Sequence, residues 1–227
     1  MRHLLYIAAL LGMAAELARA QQKTSGSGSD EQLRRVISAD TNMVRLAAIE
    51  AVQKDLSVGD DVAVKLKLLA DEYEEAVRKE LENAGVTRQP GQGRISEELR
   101  LKWLSTRGRV RNEFIPKTKE LLSADQARRL RQIWLQACIK SGPRGLLEPD
   151  VAWEMELTDA QKQAVTSLNA EMREKQFPGG QAVKGSREAM AKLHDIQEEY
   201  AQKAADVLTA EQKESLGKEF PFPKLAR

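Results

Sequence analysis

Leu157-Thr158-Asp159-Ala160-Gln161 is the stretch on which the fold reading turns, because it recurs. Leu122-Ser123-Ala124-Asp125-Gln126 precedes it and Leu208-Thr209-Ala210-Glu211-Gln212 follows it, so that each copy fits Leu-[Ser/Thr]-x-x-Gln. The chemistry is that of a helix start. The Ser or Thr hydroxyl accepts from the backbone N–H three residues on, and the Gln side chain reaches back to the N–H of the capping residue. Asp125, Asp159 and Glu211 add a carboxylate in the first turn, where the helix dipole favours negative charge. The leucine ahead of each cap anchors the chain into a core. Leu56-Ser57-Val58-Gly59-Asp60 reads as a fourth, degenerate copy with Asp where Gln belongs.

Working outward, the flanks of these motifs have helical periodicity. Val62, Leu66, Leu69, Tyr73, Ala76 and Leu81 trace one face of a helix over residues 60–84. Residues 87–94 (VTRQPGQG) read as a turn. A second helix over residues 96–121 carries Leu99, Trp103, Val110, Phe114 and Leu121, weakened at Gly108 and open to a kink at Pro116. Two long helices joined by a short turn make an αα-hairpin. The later half repeats the plan. One helix from about residue 159 carries Val165, Leu168 and Met172 and ends at Pro178-Gly179-Gly180; another from about residue 186 carries Met190, Leu193, Ile196, Tyr200 and Val207. Aligning the later motifs sets Phe114 over Tyr200 and Leu121 over Val207, and the whole reads as a tandem duplication. The expected fold is all-α, two tandem helical-hairpin units with no sheet. The first unit spans 33–141 and the second 142–227, the latter ending in a Phe/Pro tail, with a break at Ser141-Gly142-Pro143-Arg144-Gly145.

Composition agrees with helices. Charged residues make up 31% of the 227 and aromatic ones 4%, the balance of a surface-rich helical chain rather than a β sandwich. A single cysteine, Cys138, excludes an intramolecular disulfide framework and a CxxC motif. It lies in an apolar helical stretch with Ile133, Trp134 and Leu135, which predicts burial, with an intermolecular disulfide as the alternative. A net charge of +2 does not announce a nucleic-acid partner.

The N-terminus reads as an export signal over residues 1–20. A basic start at Arg2 precedes a twelve-residue apolar run at 4–15 (LLYIAALLGMAA), short of the about 20 residues needed to span a bilayer. Ala18-Arg19-Ala20 is a small-x-small cleavage pattern, with Ala18 and Ala20 as the recognition positions. Residues 21–32 read as a flexible Gly/Ser-rich tether. Cleavage after Ala20 leaves His194 as the sole histidine, and no later run is long and apolar enough to cross a membrane. The expected location is the periplasm or the extracellular space.

A signal peptide, helical hairpins and repeated Leu-Thr-x-x-Gln motifs resemble the LTxxQ-motif family of bacterial envelope proteins, the Spy/CpxP-like group. The resemblance rests on residues 122–126, 157–161 and 208–212 and their flanking helices. Members typically have two motifs per chain; this chain has three in a longer body. It is most similar to long secreted members, which share a Gly-Pro-Arg break and a Phe-Pro tail like Phe220-Pro221-Phe222-Pro223. The resemblance implies an all-helical exported protein without catalysis: a periplasmic chaperone-like or envelope stress-related binding protein, with unfolded or envelope proteins as partners and a possible homodimer. The alternatives are a structural or scaffolding module and a metal-sensing binding protein.

Candidate sites are few. Residues 94–131 hold eleven basic side chains against five acidic ones, facing an acidic arm with Asp71, Glu72, Glu74, Glu75, Glu80 and Glu82. The two arms either pair these charges on a solvated face or leave a basic surface for clients, with Arg107 and Arg111 on one helix face as its candidates. Aromatic residues are not interleaved with the basic ones as base stacking requires, and export disfavours nucleic acid. His194 and Glu198 give two metal ligands where zinc needs three or four, so no metal and no cofactor is expected. With one histidine, no Ser/His/Asp or Cys/His set is available, and no catalytic residue is expected. Trp103 and Trp134 occupy apolar helical positions and are expected in the core; Trp153 is expected to pack the two halves together.

Overall fold

The computed structural model describes residues 41–86, 96–178 and 187–222. The expected signal peptide with Ala18 and Ala20, the tether, the start of the first unit at 33 and the turn at 87–94 lie outside the described residues, as does Pro223. Among the described residues there are ten helices and no strand: α1 (Met43–Ala47), α2 (Glu50–Asp55), α3 (Asp60–Asn83), α4 (Glu97–Glu120), α5 (Ala124–Lys140), α6 (Pro143–Leu146), α7 (Pro149–Glu154), α8 (Asp159–Gln176), α9 (Arg187–Asp206) and α10 (Ala210–Ser215). The protein is all-α.

The long helices pack in sequential pairs. Tyr73 of α3 meets Phe114 of α4 edge to face at 5.7 Å, and Glu80 further along α3 pairs with Arg109 earlier in α4, so the two run antiparallel. Val44, Leu69, Val77 and Val110 complete this cluster. α8 and α9 meet in the same sense through Met172, Ile196 and Tyr200. Pro116 lies inside α4, which continues to Glu120. Two turns beyond Val110, the buried Thr118 donates its hydroxyl to the Phe114 carbonyl, 3.1 Å away.

The main core belongs to neither half alone. Leu46, Val52, Leu66, Leu130, Ile133 and Cys138 share one buried cluster with Leu146, Val151, Val165, Ala204 and Phe220. Cys138 is buried. Each fully buried aliphatic or aromatic side chain of this kind contributes about 1.5–3 kcal/mol by leaving water. The 141–145 break is a buried hub rather than an exposed linker. Gly142, Pro143, Gly145 and Leu146 are all buried. A Cβ at Gly145 would lie 1.9 Å from the Cys138 carbonyl oxygen, so only glycine lets α6 turn back against the end of α5.

Residues 42–60 and 141–159 follow the same local course. A four- or five-residue helix is succeeded by a six-residue helix, a left-handed residue and the cap of a long helix. The left-handed residues are Ser57 (φ 52°) and Glu156 (φ 49°). This correspondence sets Val58 and Gly59 opposite Leu157 and Thr158, so the degenerate motif is displaced by two residues from the reading at Leu56. Gly59 caps α3 without a side-chain bond, and Asp60 and Asp61 supply first-turn charge instead.

The chain after α10 returns to α5. Gln136 clasps it from three sides: its amide nitrogen donates to the carbonyls of Leu216 (2.8 Å) and Lys218 (2.9 Å), and its oxygen accepts from the Phe220 N–H (2.8 Å). Arg129 donates to the Lys218 carbonyl at 2.5 Å while holding Asp55. Phe220 is buried and packs edge to face on Phe222 at 4.8 Å.

Candidate functional site

All three Leu-[Ser/Thr]-x-x-Gln motifs form reciprocal capping boxes. The hydroxyls of Ser123, Thr158 and Thr209 accept from the N–H groups of Gln126, Gln161 and Gln212, and each Gln oxygen accepts from the N–H of its cap residue at 2.9–3.0 Å. Leu157 and Leu208 are buried, and Leu122 is half-buried. The glutamines also act at a distance, which a capping reading does not include. The Gln161 amide nitrogen donates to the Val207 carbonyl (2.9 Å) and that of Gln212 to the Met155 carbonyl (2.8 Å). The two amides also bond each other. Gln126 donates to the carbonyls of Leu56 and Ser57, the counterparts of Met155 and Glu156. In the first half the position matching Gln161 is Val62, so Gln126 has no glutamine across from it. These residues fasten helix starts to the turns opposite them; their chemistry is structural.

The basic arm is divided. Arg109 is exposed and pairs across the hairpin with Glu80 and along its own helix with Glu113. The Arg109 hydrogen bond and charge hold the Glu80 carboxyl below its ordinary range. Arg107 lies over the Trp103 ring at 4.4 Å, a cation–π contact, and both are half-buried. Arg111 does not stand free for a client. It reaches Asp150 of α7 at 2.5 Å and is mostly covered, so it ties α4 to the second half. Sequence spacing places Arg107 and Arg111 on one face but carries no trace of Asp150, 39 residues away.

Trp134 is buried and donates to the Thr41 carbonyl at 3.2 Å. Trp153 departs from the expectation of packing between the halves: it is 78% exposed. The reason is local. Pro149 opens α7, which has six residues and buries Val151, so the side chain two positions later points to the opposite side, into solvent. Trp153 stands at a cleft of about 250 Å³, lined also by Met43, Ile115, Trp134, Arg111 and Lys119. No protein-family model matches this sequence, and neither a curated protein nor a solved structure does.

His194 and Glu198 bond at 3.2 Å, and among the described residues no group of three metal-ligating side chains occurs. No described helix is long and apolar enough to cross a membrane. In the cleft a large exposed aromatic, an apolar floor and charged side chains meet. The open face of Trp153 follows from the burial of Val151 on the other side of α7; in sequence Trp153 is one apolar residue among several.

Proposed function

We propose that this chain is an exported, non-catalytic binding protein that holds exposed segments of other envelope proteins, in the manner of a periplasmic chaperone. The observation that carries the reading is Trp153, 78% exposed beside a cleft floored by Met43, Ile115 and Trp134. Tryptophan is enriched among the residues that dominate protein interfaces, where a large rigid ring buries much area at little entropic cost. At about 250 Å³ the cleft falls below the range of about 300–1,000 Å³ for small-molecule sites and suits one side chain of a partner. The Leu-Thr-x-x-Gln motifs and the export signal supply the envelope setting.

The test is suppression of aggregation of an unrelated unfolded protein by the purified chain, with Trp153→Ala beside it. Suppression at low molar ratio, weakened by the substitution while the circular dichroism is unchanged, supports the reading. Equal suppression by both proteins removes Trp153 from it, and none by either sinks it. The cleft's small size favours a second reading, a scaffolding module that takes an anchor residue from one defined partner. That reading expects no suppression and a single companion bound through Trp153. Export is tested separately: mass spectrometry of the exported protein should show a chain beginning at Gln21, and an intact Met1 would refute it.

A further inference from the structure

We propose that the Trp153 cleft takes a peptide segment in which an apolar side chain neighbours a single carboxylate, and that the carboxylate meets Lys119. The inference rests on the binding role proposed above and names the chemistry of its partner. Four charged groups line the cleft: Arg111, Lys119, Asp150 and Glu154. Arg111 and Asp150 answer each other at 2.5 Å. Glu154, largely covered, is answered from outside the lining by Arg131 of α5. Lys119 is exposed and has no ion pair among the described residues. The lining therefore carries one unanswered positive charge.

Arg111 adds to it. Its Nε is buried without a hydrogen-bond partner among the described residues, so Asp150 satisfies only the far end of the guanidinium. Beside these cations, Met43 and Trp134 are buried, Ile115 is half-buried and Trp153 is open. An apolar side chain entering here removes the Trp153 face from water, and a carboxylate beside it neutralises Lys119. A basic partner would place like charges together, and complementary potentials fix which partner is accepted more than how tightly it binds.

The experiment uses the full-length purified protein and fluorescence polarisation of dye-labelled, end-blocked peptides of sequence Gly-Phe-Glu-Gly, Gly-Phe-Gln-Gly, Gly-Phe-Lys-Gly and Gly-Ala-Glu-Gly. The Glu peptide should bind about threefold to fivefold more tightly than the Gln peptide, the range of an exposed ion pair. The Lys and Ala peptides should bind more weakly still. Lys119→Glu should invert the order, with the Lys peptide now preferred over the Glu peptide. Trp153→Ala should weaken every Phe peptide by about tenfold or more. Equal affinity for the Glu and Gln peptides, an order unchanged by Lys119→Glu, or no binding by any peptide overturns the inference. Those results leave the client-holding role standing if aggregation suppression still depends on Trp153. Absence of suppression together with the inverted peptide order would refute that role and keep the peptide chemistry.

Discussion

Gln161 and Gln212 bond each other through both side-chain amides. The nitrogen of Gln161 donates to the oxygen of Gln212 at 2.8 Å, and the nitrogen of Gln212 returns to the oxygen of Gln161 at 3.2 Å. Each oxygen also accepts from its own cap N–H, and each nitrogen also donates to a backbone carbonyl across the junction. Two helix starts 51 residues apart are thereby locked by one cyclic network.

Replacing Gln161 with Leu leaves the Gln212 amide, the Thr158 N–H and the Val207 carbonyl short of a partner. The expected cost is about 1–3 kcal/mol. The double replacement of Gln161 and Gln212 should cost less than the two singles together, with a coupling of about 0.5–3 kcal/mol. Urea unfolding of the four proteins measures it, and strict additivity would show the amides act independently. Replacing Gln126, which has no such partner, should cost less than replacing Gln161.

Thr158→Ala removes the acceptor for the Gln161 N–H at the head of α8. It should destabilise by about 0.5–2 kcal/mol, read from the denaturation midpoint. Peptide binding measured well below the melting temperature should persist. Loss of binding at unchanged stability would mean the motif is itself a contact surface.

Gly145→Ala should be far more damaging than its size suggests. The added methyl meets the Cys138 carbonyl at 1.9 Å and the Ser141 hydroxyl at 2.4 Å. Neither the end of α5 nor the start of α6 can move away without opening the core, so a loss of about 1–3 kcal/mol or more is expected. Gly108→Ala is the control. A Cβ there meets nothing within 4 Å, and alanine favours the helix, so stability should hold or rise.

Acid should release the bridge between α8 and α9. Glu199 accepts from Lys203 at 2.7 Å and Lys175 at 3.2 Å, and these bonds hold its carboxyl below the ordinary value of 4.5. A lowered native pKa means the folded state releases its proton more readily than the unfolded one. Its contribution is then present above pH 4.5 and is lost as the pH falls through the native value. The difference in melting temperature between the native protein and Glu199→Gln should therefore be largest near neutrality and vanish below that value. A difference that grows with acid would contradict the sign.

Arg111 and Arg109 should separate when each is replaced by Met. Arg111 is mostly covered and joins α4 to α7 through Asp150, so its loss should cost about 1 kcal/mol, the upper end for a surface pair. Arg109 is exposed, and its replacement should barely move the melting temperature. Equal effects would place the Arg111 pair in ordinary solvent screening.

Periodicity and caps made the helices legible, because both are local. Leu66, Leu69 and Tyr73 lie buried where a 3.6-residue period sets them, and Ser123, Thr158 and Thr209 stand at the N-caps that their hydroxyls imply. The exposed Trp153 was not legible. Whether an apolar ring faces core or solvent depends on which side of a six-residue helix is claimed by Val151. The Arg111–Asp150 pair and the glutamine ring were hidden for a related reason: each joins residues 39 or more apart, and no local pattern encodes the partner. The hub in which Gly142, Pro143 and Gly145 are buried reads in sequence as a break between the halves, because Gly and Pro mark turns in solvent and in cores alike.

Gln136 makes the first half depend on chain that follows it by 80 residues or more. The glutamine sits in the first half, yet among the described residues its side-chain amide bonds to 216–220. A product truncated after α10 would leave this buried amide without its partners and remove Phe220 from the shared core, so its first half would be left ajar. Such a product would offer proteases an opening that residues 216–220 close, so the protection of the first half waits on chain 80 or more residues beyond Gln136.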